Sequence, residues 1–367
     1  MRTSSTIVWP AVAAVLSCVI LCPVADTTVQ AKTARGNPWV VYDGFDGPGK
    51  GKHIVLVSGD EEYRSEEALP QLGKILAKHH GFKCTVLFAI DKATGIINPQ
   101  QLDNIPGLEA LKTADLMIIA TRFRALPDKQ MKQIDDYLLS GRPILGMRTA
   151  NHGFRFKKGS KWDRYTFRYS GANEAWRGGF GTLVFGDHFR SHHGRHGRES
   201  TRGLIAPGAA DHPTVRGIKN GDIWGPTDVY GVKLPLPGDS KHIILGQVLK
   251  GMKPGDPPTA AKNKNNPMMP VTWTKTYKLP KGKPGRVFST TMGASVDLAS
   301  VGTRRMIVNG AYWCLRMEDR IPAKGTKVDV VGKYAPTGFK NHPNAYWQKK
   351  ALKVRDFDMT GSERNAK

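Results

Sequence analysis

Four histidines, His188, His192, His193 and His196, fall within nine residues, beside Asp187 and interleaved with Arg190, Arg195 and Arg198. Neutral imidazole next to a carboxylate can hold a divalent ion such as zinc, or move a proton near neutral pH. The spacing matches no zinc signature and three guanidinium groups repel a cation, so a pocket for an anion or sugar hydroxyls fits at least as well. The plain alternative is a solvated basic loop. Further on, Trp224-Gly225-Pro226-Thr227-Asp228-Val229-Tyr230 sets a carboxylate among aromatic faces suited to stacking on sugar rings, although Trp224 equally reads as core.

Two other segments carry candidate chemistry. Ser58 to Glu67 holds five carboxylates and one arginine. Glu66 and Glu67 read as acids that complement a helix N-terminus, and Asp60, Glu62 and Arg64 as substrate-binding candidates. Pro143-Ile144-Leu145-Gly146-Met147-Arg148 has the strand-to-sharp-turn form of the nucleophile elbow of class I glutamine amidotransferases, with Arg148 where the cysteine would stand. An always-protonated guanidinium cannot act as a thiolate, which argues against glutamine hydrolysis. Arg148 would instead hold an oxyanion or carboxylate, or form a structural ion pair. His152, just beyond, joins His188 as an acid–base candidate, with Asp187 or Asp228 orienting a histidine or binding hydroxyls; His192, His193 and Tyr230 are further substrate-binding candidates. There is no Walker loop, no Gly-x-Gly-x-x-Gly after a strand and no Gly-x-Ser-x-Gly elbow, so nucleotide cofactors and serine hydrolysis are disfavoured.

These residues need a scaffold, and strands alternate with helices to supply it. Strands are expected over 53–58, 83–90, 115–121 and 143–147, with helices over 65–80 and 127–140; this alternation implies a mostly parallel sheet covered on both faces. The region 148–203 is glycine-rich, aromatic and basic, with 12 Lys or Arg against 4 Asp or Glu, and reads as a long functional loop containing a short strand over 182–185. Strands over 222–234, 243–249, 271–277 and 286–291 and a closing helix over 303–317 follow. In such sheets the ligand crevice lies beyond the carboxyl ends of the strands.

The 367-residue chain carries a net charge of +24, which invites a nucleic-acid, acidic-glycan or anionic-membrane reading. Arg2, an apolar run from Ile7 to Val24 and Val29-Gln30-Ala31 together read as an export signal, giving a periplasmic or extracellular protein. The run is barely long enough to span a bilayer, so an uncleaved anchor is the minor alternative and no stable anchor is expected. Export removes the usual nucleic-acid partner, and no recognition fold for one is visible. The expected organisation is a signal peptide over 1–31, a linker over 32–51, a single decorated α/β domain over 52–322 and a basic extension over 323–367. That extension reads as a surface wrap or partly disordered. Cys84 and Cys314 read as buried small hydrophobes.

As a set, these residues resemble the trehalose-utilisation (ThuA-like) family of the class I glutamine-amidotransferase-like superfamily over about 52–322. The resemblance rests on Gly59 to Glu67, Asp115 to Arg124, Arg148 to His152, Gly186-Asp187-His188, Asp211-His212-Pro213, Asp228-Val229-Tyr230, Pro270 to Thr274 and Gly285 to Phe288. It implies a flavodoxin-like α/β core without glutaminase activity and a role in disaccharide or keto-sugar metabolism. Many relatives carry histidine after the glycine of the last strand motif. Here Gly293 is followed by Ala294, so no role for that histidine carries over. The expectation is an exported carbohydrate-processing protein working by His/Asp acid–base chemistry, with a divalent metal and the oligomeric state left open. The rival is a non-catalytic module binding acidic extracellular glycans.

Overall fold

The apolar runs at 54–57 and 116–120 alternate their side chains between two cores, which places them at the middle of one sheet. The structure, a computed structural model, describes residues 36–365 and three isolated positions before residue 7; the segment read as an export signal otherwise lies outside the described residues. Ten strands occur in chain order: β1 (Trp39–Tyr42), β2 (His53–Gly59), β3 (Lys83–Leu87), β4 (Leu116–Thr121), β5 (Ile144–Met147), β6 (Thr201–Ile205), β7 (Ile223–Gly225), β8 (Lys241–Val248), β9 (Met269–Tyr277) and β10 (Gly285–Thr290). Their spatial order is β1-β3-β2-β4-β5-β10-β9-β8-β6-β7. The block β3, β2, β4, β5 and β10 is parallel, and the flanking strands pair antiparallel. The fold is α/β, as the alternation predicted.

Helices α1 (Ser65–His80) and α3 (Val301–Cys314) pack on the face carrying Ile54 and Leu56, whereas α2 (Asp128–Leu139) packs on the face carrying Val55 and Val57. Each such side chain, fully buried, contributes roughly 1.5–3 kcal/mol. The carboxyl ends of β2, β4, β5 and β10 lie together at the centre, and the loops leaving them converge there.

Several local expectations change. Residues 182–185 are not a strand: Gly181–Phe185 is a π-helical turn ended by Gly186 at φ 87°. Phe185 packs its ring where a Cβ on Gly146 of β5 would sit, 2.3 Å away, and its carbonyl accepts from Trp273 Nε1 at 2.7 Å. A short apolar run does not distinguish strand from helix by periodicity. Of 222–234 only Ile223–Gly225 is extended, and the segment read as linker includes β1. Ser65 braces its preceding turn, accepting from Asp60 N at 3.1 Å, while Arg64 occupies the N-cap position at φ 61°.

After α3 the basic extension is ordered over its described length. Trp347, on the short helix α4 (Asn344–Lys350), is fully buried, and Val328, Val331 and Met359 are buried with it. Isolated anchors of this kind leave little periodicity to read. Cys84 and Cys314 are buried and free. Among the described residues no helix is long and apolar enough to cross a membrane.

Candidate functional site

Arg148 leaves β5 at φ 42°, the left-handed conformation of a tight elbow. That turn drives its side chain into the interior, between the rings of Tyr63, 4.4 Å from its Cζ, and Tyr230, 3.8 Å away. Its four Nη hydrogens are all used: Nη1 donates to the carbonyls of Asp228 and Thr291, each at 2.8 Å, and Nη2 donates to Tyr63 Oη at 3.1 Å and Asp228 Oδ1 at 2.9 Å. The guanidinium therefore fixes Asp228 through a buried ion pair, the structural alternative to its reading as an oxyanion holder.

Asp228 is the hub. Its Oδ2 accepts from His192 Nδ1 at 2.8 Å and its Oδ1 from His196 Nδ1 at 3.0 Å, beside Arg148. Burial alone would raise this carboxyl; the Arg148 charge and the two imidazole hydrogen bonds outweigh it and hold it well below the usual range. His196 reaches a second carboxylate, with Nε2 at 3.3 Å from Glu62 Oε1. Hydrogen bonds to Asp228 and Glu62 lift the His196 imidazole to about 9, so it is a cation at neutral pH. Burial would raise Glu62 as well, but His196 and Arg122 hold it down.

Local turn chemistry delivers these groups. Asp60 Oδ1 accepts from the backbone N–H of Glu62 at 2.8 Å and of Tyr63 at 3.0 Å, and its Oδ2 accepts from Thr149 Oγ1 at 2.5 Å. This side-chain turn aims Glu62 and Tyr63 over the end of β5. Asp297, fully buried, accepts from Thr227 Oγ1 and from the backbone of Gly293 and Ala294, which locks the residue before Asp228 against the loop after β10.

Glu62, Arg148, His192, Asp228 and Tyr230 thus come together, with Asp60 beneath them. His152 and His188 do not join by hydrogen bond. His152 Nδ1 meets its neighbour Asn151 at 2.7 Å; burial and the charges of Arg122, Arg148 and Arg155 push it well below its ordinary value. Its ring packs 4.9 Å from Phe189 and 6.2 Å from Tyr230, so it is a neutral wall of the site. His188 bonds Thr182 Oγ1 at 2.9 Å and is lowered to about 4 by burial and Arg190. Asp187 accepts from Arg190 Nε and Lys233 N, both at 2.8 Å, and shapes the loop.

Three substrate-binding candidates point elsewhere. Arg64 donates to the carbonyls of Glu61 and Lys340 and lies over Trp347. His193 faces the carbonyl of Lys264 at 2.9 Å, and Trp224 donates to Ser200 from β7 at the sheet edge.

The parts played by Tyr63 and Phe339, and the choice of His196 within its run, emerge only in three dimensions. His196 lies four residues after His192 in the same run, and the path of the loop over Asp228 selects it in place of His188. Together with Phe189 and Phe339 the two imidazoles form a row, with centroid separations of 5.3 Å (Phe189–His192), 4.7 Å (His192–His196) and 5.0 Å (His196–Phe339). Apolar ring faces thus border a site floored by carboxylates.

For a metal, His192, His196 and Asp228 each offer one ligand atom, all within 4.8 Å of one another. Two imidazoles and a carboxylate suit zinc or a related divalent ion, and Glu62 on the far nitrogen of His196 is the kind of carboxylate that orients a metal-bound histidine.

The sequence profile of the ThuA family, described as trehalose utilisation, matches residues 53–314. No curated protein is a significant match to the sequence. Among solved structures, a ThuA-like protein from Parabacteroides merdae ATCC 43184 is 14% identical, covering 79% of this chain and 97% of its own, with a TM-score of 0.44. One from Bacteroides uniformis ATCC 8492 is 13% identical, covering 74% and 94%, also at 0.44.

Proposed function

The chain belongs to the ThuA (trehalose utilisation) family, and on that premise we propose an exported carbohydrate-processing enzyme that acts on a sugar or keto-sugar by acid–base chemistry at Glu62, His192, His196 and Asp228, without glutaminase activity. The observation that carries this reading is His196 suspended between two carboxylates beside aromatic faces. A protonated His196 is placed to donate to a carbonyl or glycosidic oxygen that displaces the longer contact to Glu62. His192 gives its Nδ1 hydrogen to Asp228, which leaves Nε2 as its basic nitrogen on a partly exposed ring. One buried carboxylate would then orient both an acid and a base. Arg148 at the elbow removes the nucleophile that a glutaminase needs.

A second reading is supported by the ligand set of His192, His196 and Asp228. A zinc-class ion held there would act as a Lewis acid on a sugar oxygen, with Glu62 orienting His196.

The test is to incubate the protein with disaccharides, oxidised and unoxidised, and to follow products by chromatography. Turnover by wild type that falls at least about a hundredfold in His196→Ala and in Asp228→Asn, but not in His193→Ala, is expected of a lost acid–base group. If wild type turns over none of the panel yet stays on heparin at physiological salt, the non-catalytic module for acidic glycans replaces this proposal.

A further inference from the structure

The basic extension lies wholly beyond the span matched by the family profile, yet one of its side chains stands in the aromatic row. Phe339 packs its ring 5.4 Å from Tyr63, tilted by 34°, and 5.0 Å from His196. Its backbone is clamped on both sides. Before it, Thr337 donates through N and Oγ1 to the two oxygens of Glu67, at 2.8 and 2.7 Å, and its carbonyl accepts from Ser295 Oγ at 3.0 Å. After it, Lys340 donates from N to the carbonyl of Glu62 at 2.9 Å and accepts from Arg64 Nη2 at 2.7 Å. Arg64 in turn lies 4.5 Å over Trp347, the buried anchor of the same segment.

We infer that residues 337–340 are a fixed wall of the site, and that Phe339 is a specificity-determining residue whose ring stacks on the apolar face of a bound sugar. The inference rests on the carbohydrate reading above and extends it to a segment outside the family core. Phe339 is half-buried, its ring packed between Tyr63 and His196. Gly338, beside it, has open space where a Cβ would project. The clamps fix this ring beside His196, which lies 3.3 Å from Glu62. The C–H face of a pyranose lying on it would present its hydroxyls to those two polar side chains.

The test compares wild type with Phe339→Ala, Phe339→Leu and Phe339→Trp in the full chain. Maltose, cellobiose and their oxidised counterparts serve as probes, with binding followed by ligand-observed NMR and calorimetry. For a sugar bound by wild type, Phe339→Ala and Phe339→Leu are expected to weaken Kd on the order of threefold to tenfold. Phe339→Trp is expected to restore or tighten it, with thermal stability nearly unchanged in all three. Leucine keeps apolar cover but loses the flat ring, so equal binding by Phe339→Leu and wild type overturns the stacking role while the carbohydrate reading stands. Failure of wild type to bind any of the four sugars overturns both.

Discussion

Arg148 and Asp228 meet through two contacts from one guanidinium, Nη1 to the Asp228 carbonyl at 2.8 Å and Nη2 to its carboxylate at 2.9 Å, with both side chains almost fully buried. The elbow residue thus holds both backbone and side chain of the group that organises two histidines. Breaking a buried pair from one side leaves an unpaired charge and costs about 3–5 kcal/mol. Arg148→Met and Asp228→Asn are each expected to lose stability in that range, read by urea denaturation. The double variant should lose less than the sum of the two by at least about 1 kcal/mol; strict additivity would show that the pair is not coupled.

His196 lies between Asp228 and Glu62, and its raised value of about 9 follows from those two hydrogen bonds. Its folded value exceeds the ordinary 6.5, so its linked stability is full below that pH and is lost as pH rises through about 9. NMR titration of the imidazoles in metal-free protein should find one histidine still protonated at pH 8. In Glu62→Gln that resonance should titrate at lower pH, and in Asp228→Asn lower still. A normal titration of His196 in wild type would remove it as the cationic acid.

The parallel core was legible because Ile54 to Val57 and Leu116 to Ala120 are buried on both faces and so read as continuous apolar runs. The end of β5 was legible for a similar reason, since a strand stopping at Met147 puts Arg148 where a ligand crevice belongs. The choice among histidines was not. His188 and His196 sit in one polar run with similar neighbours, and what separates them is the turn at Gly186 and the crossing of the loop over Asp228, set by contacts distant in sequence. Phe339 was illegible for the same reason: it is 143 residues after His196, in a segment whose anchors, Trp347 and Met359, have no period. Arg64 misled because an arginine at a strand end reads as a ligand-binding group, whereas burial against Trp347 makes it a brace for the extension.

The ligand set of His192, His196 and Asp228 gives a metal prediction independent of turnover. Protein prepared without a histidine tag and titrated with zinc in a calorimeter should bind one ion per chain and release protons, because His196 must lose the one it carries. Removing one of three ligands should weaken binding by at least about tenfold, so His192→Ala should do so and His193→Ala should not. Equal zinc affinity in wild type and His192→Ala would place the ion elsewhere.

Glu66 adjoins Arg64, the residue that ties the turn after β2 to the extension. It is fully buried in the first turn of α1, 3.5 Å from Arg64, and neither carboxylate oxygen has a hydrogen-bond donor. Burial pushes its carboxyl up to about 7, more than the Arg64 charge can offset. A carboxyl raised on folding favours the folded state when protonated, so stability linked to Glu66 is full below its ordinary 4.5 and declines as pH rises through about 7. Glu66→Gln keeps the shape and removes the charge. It should therefore leave stability nearly unchanged at pH 4.5 and raise it by about 3 kcal/mol at pH 8, measured by denaturant melts at both values. An equal effect at the two pH values would mean that Glu66 keeps its charge throughout and that Arg64 satisfies it.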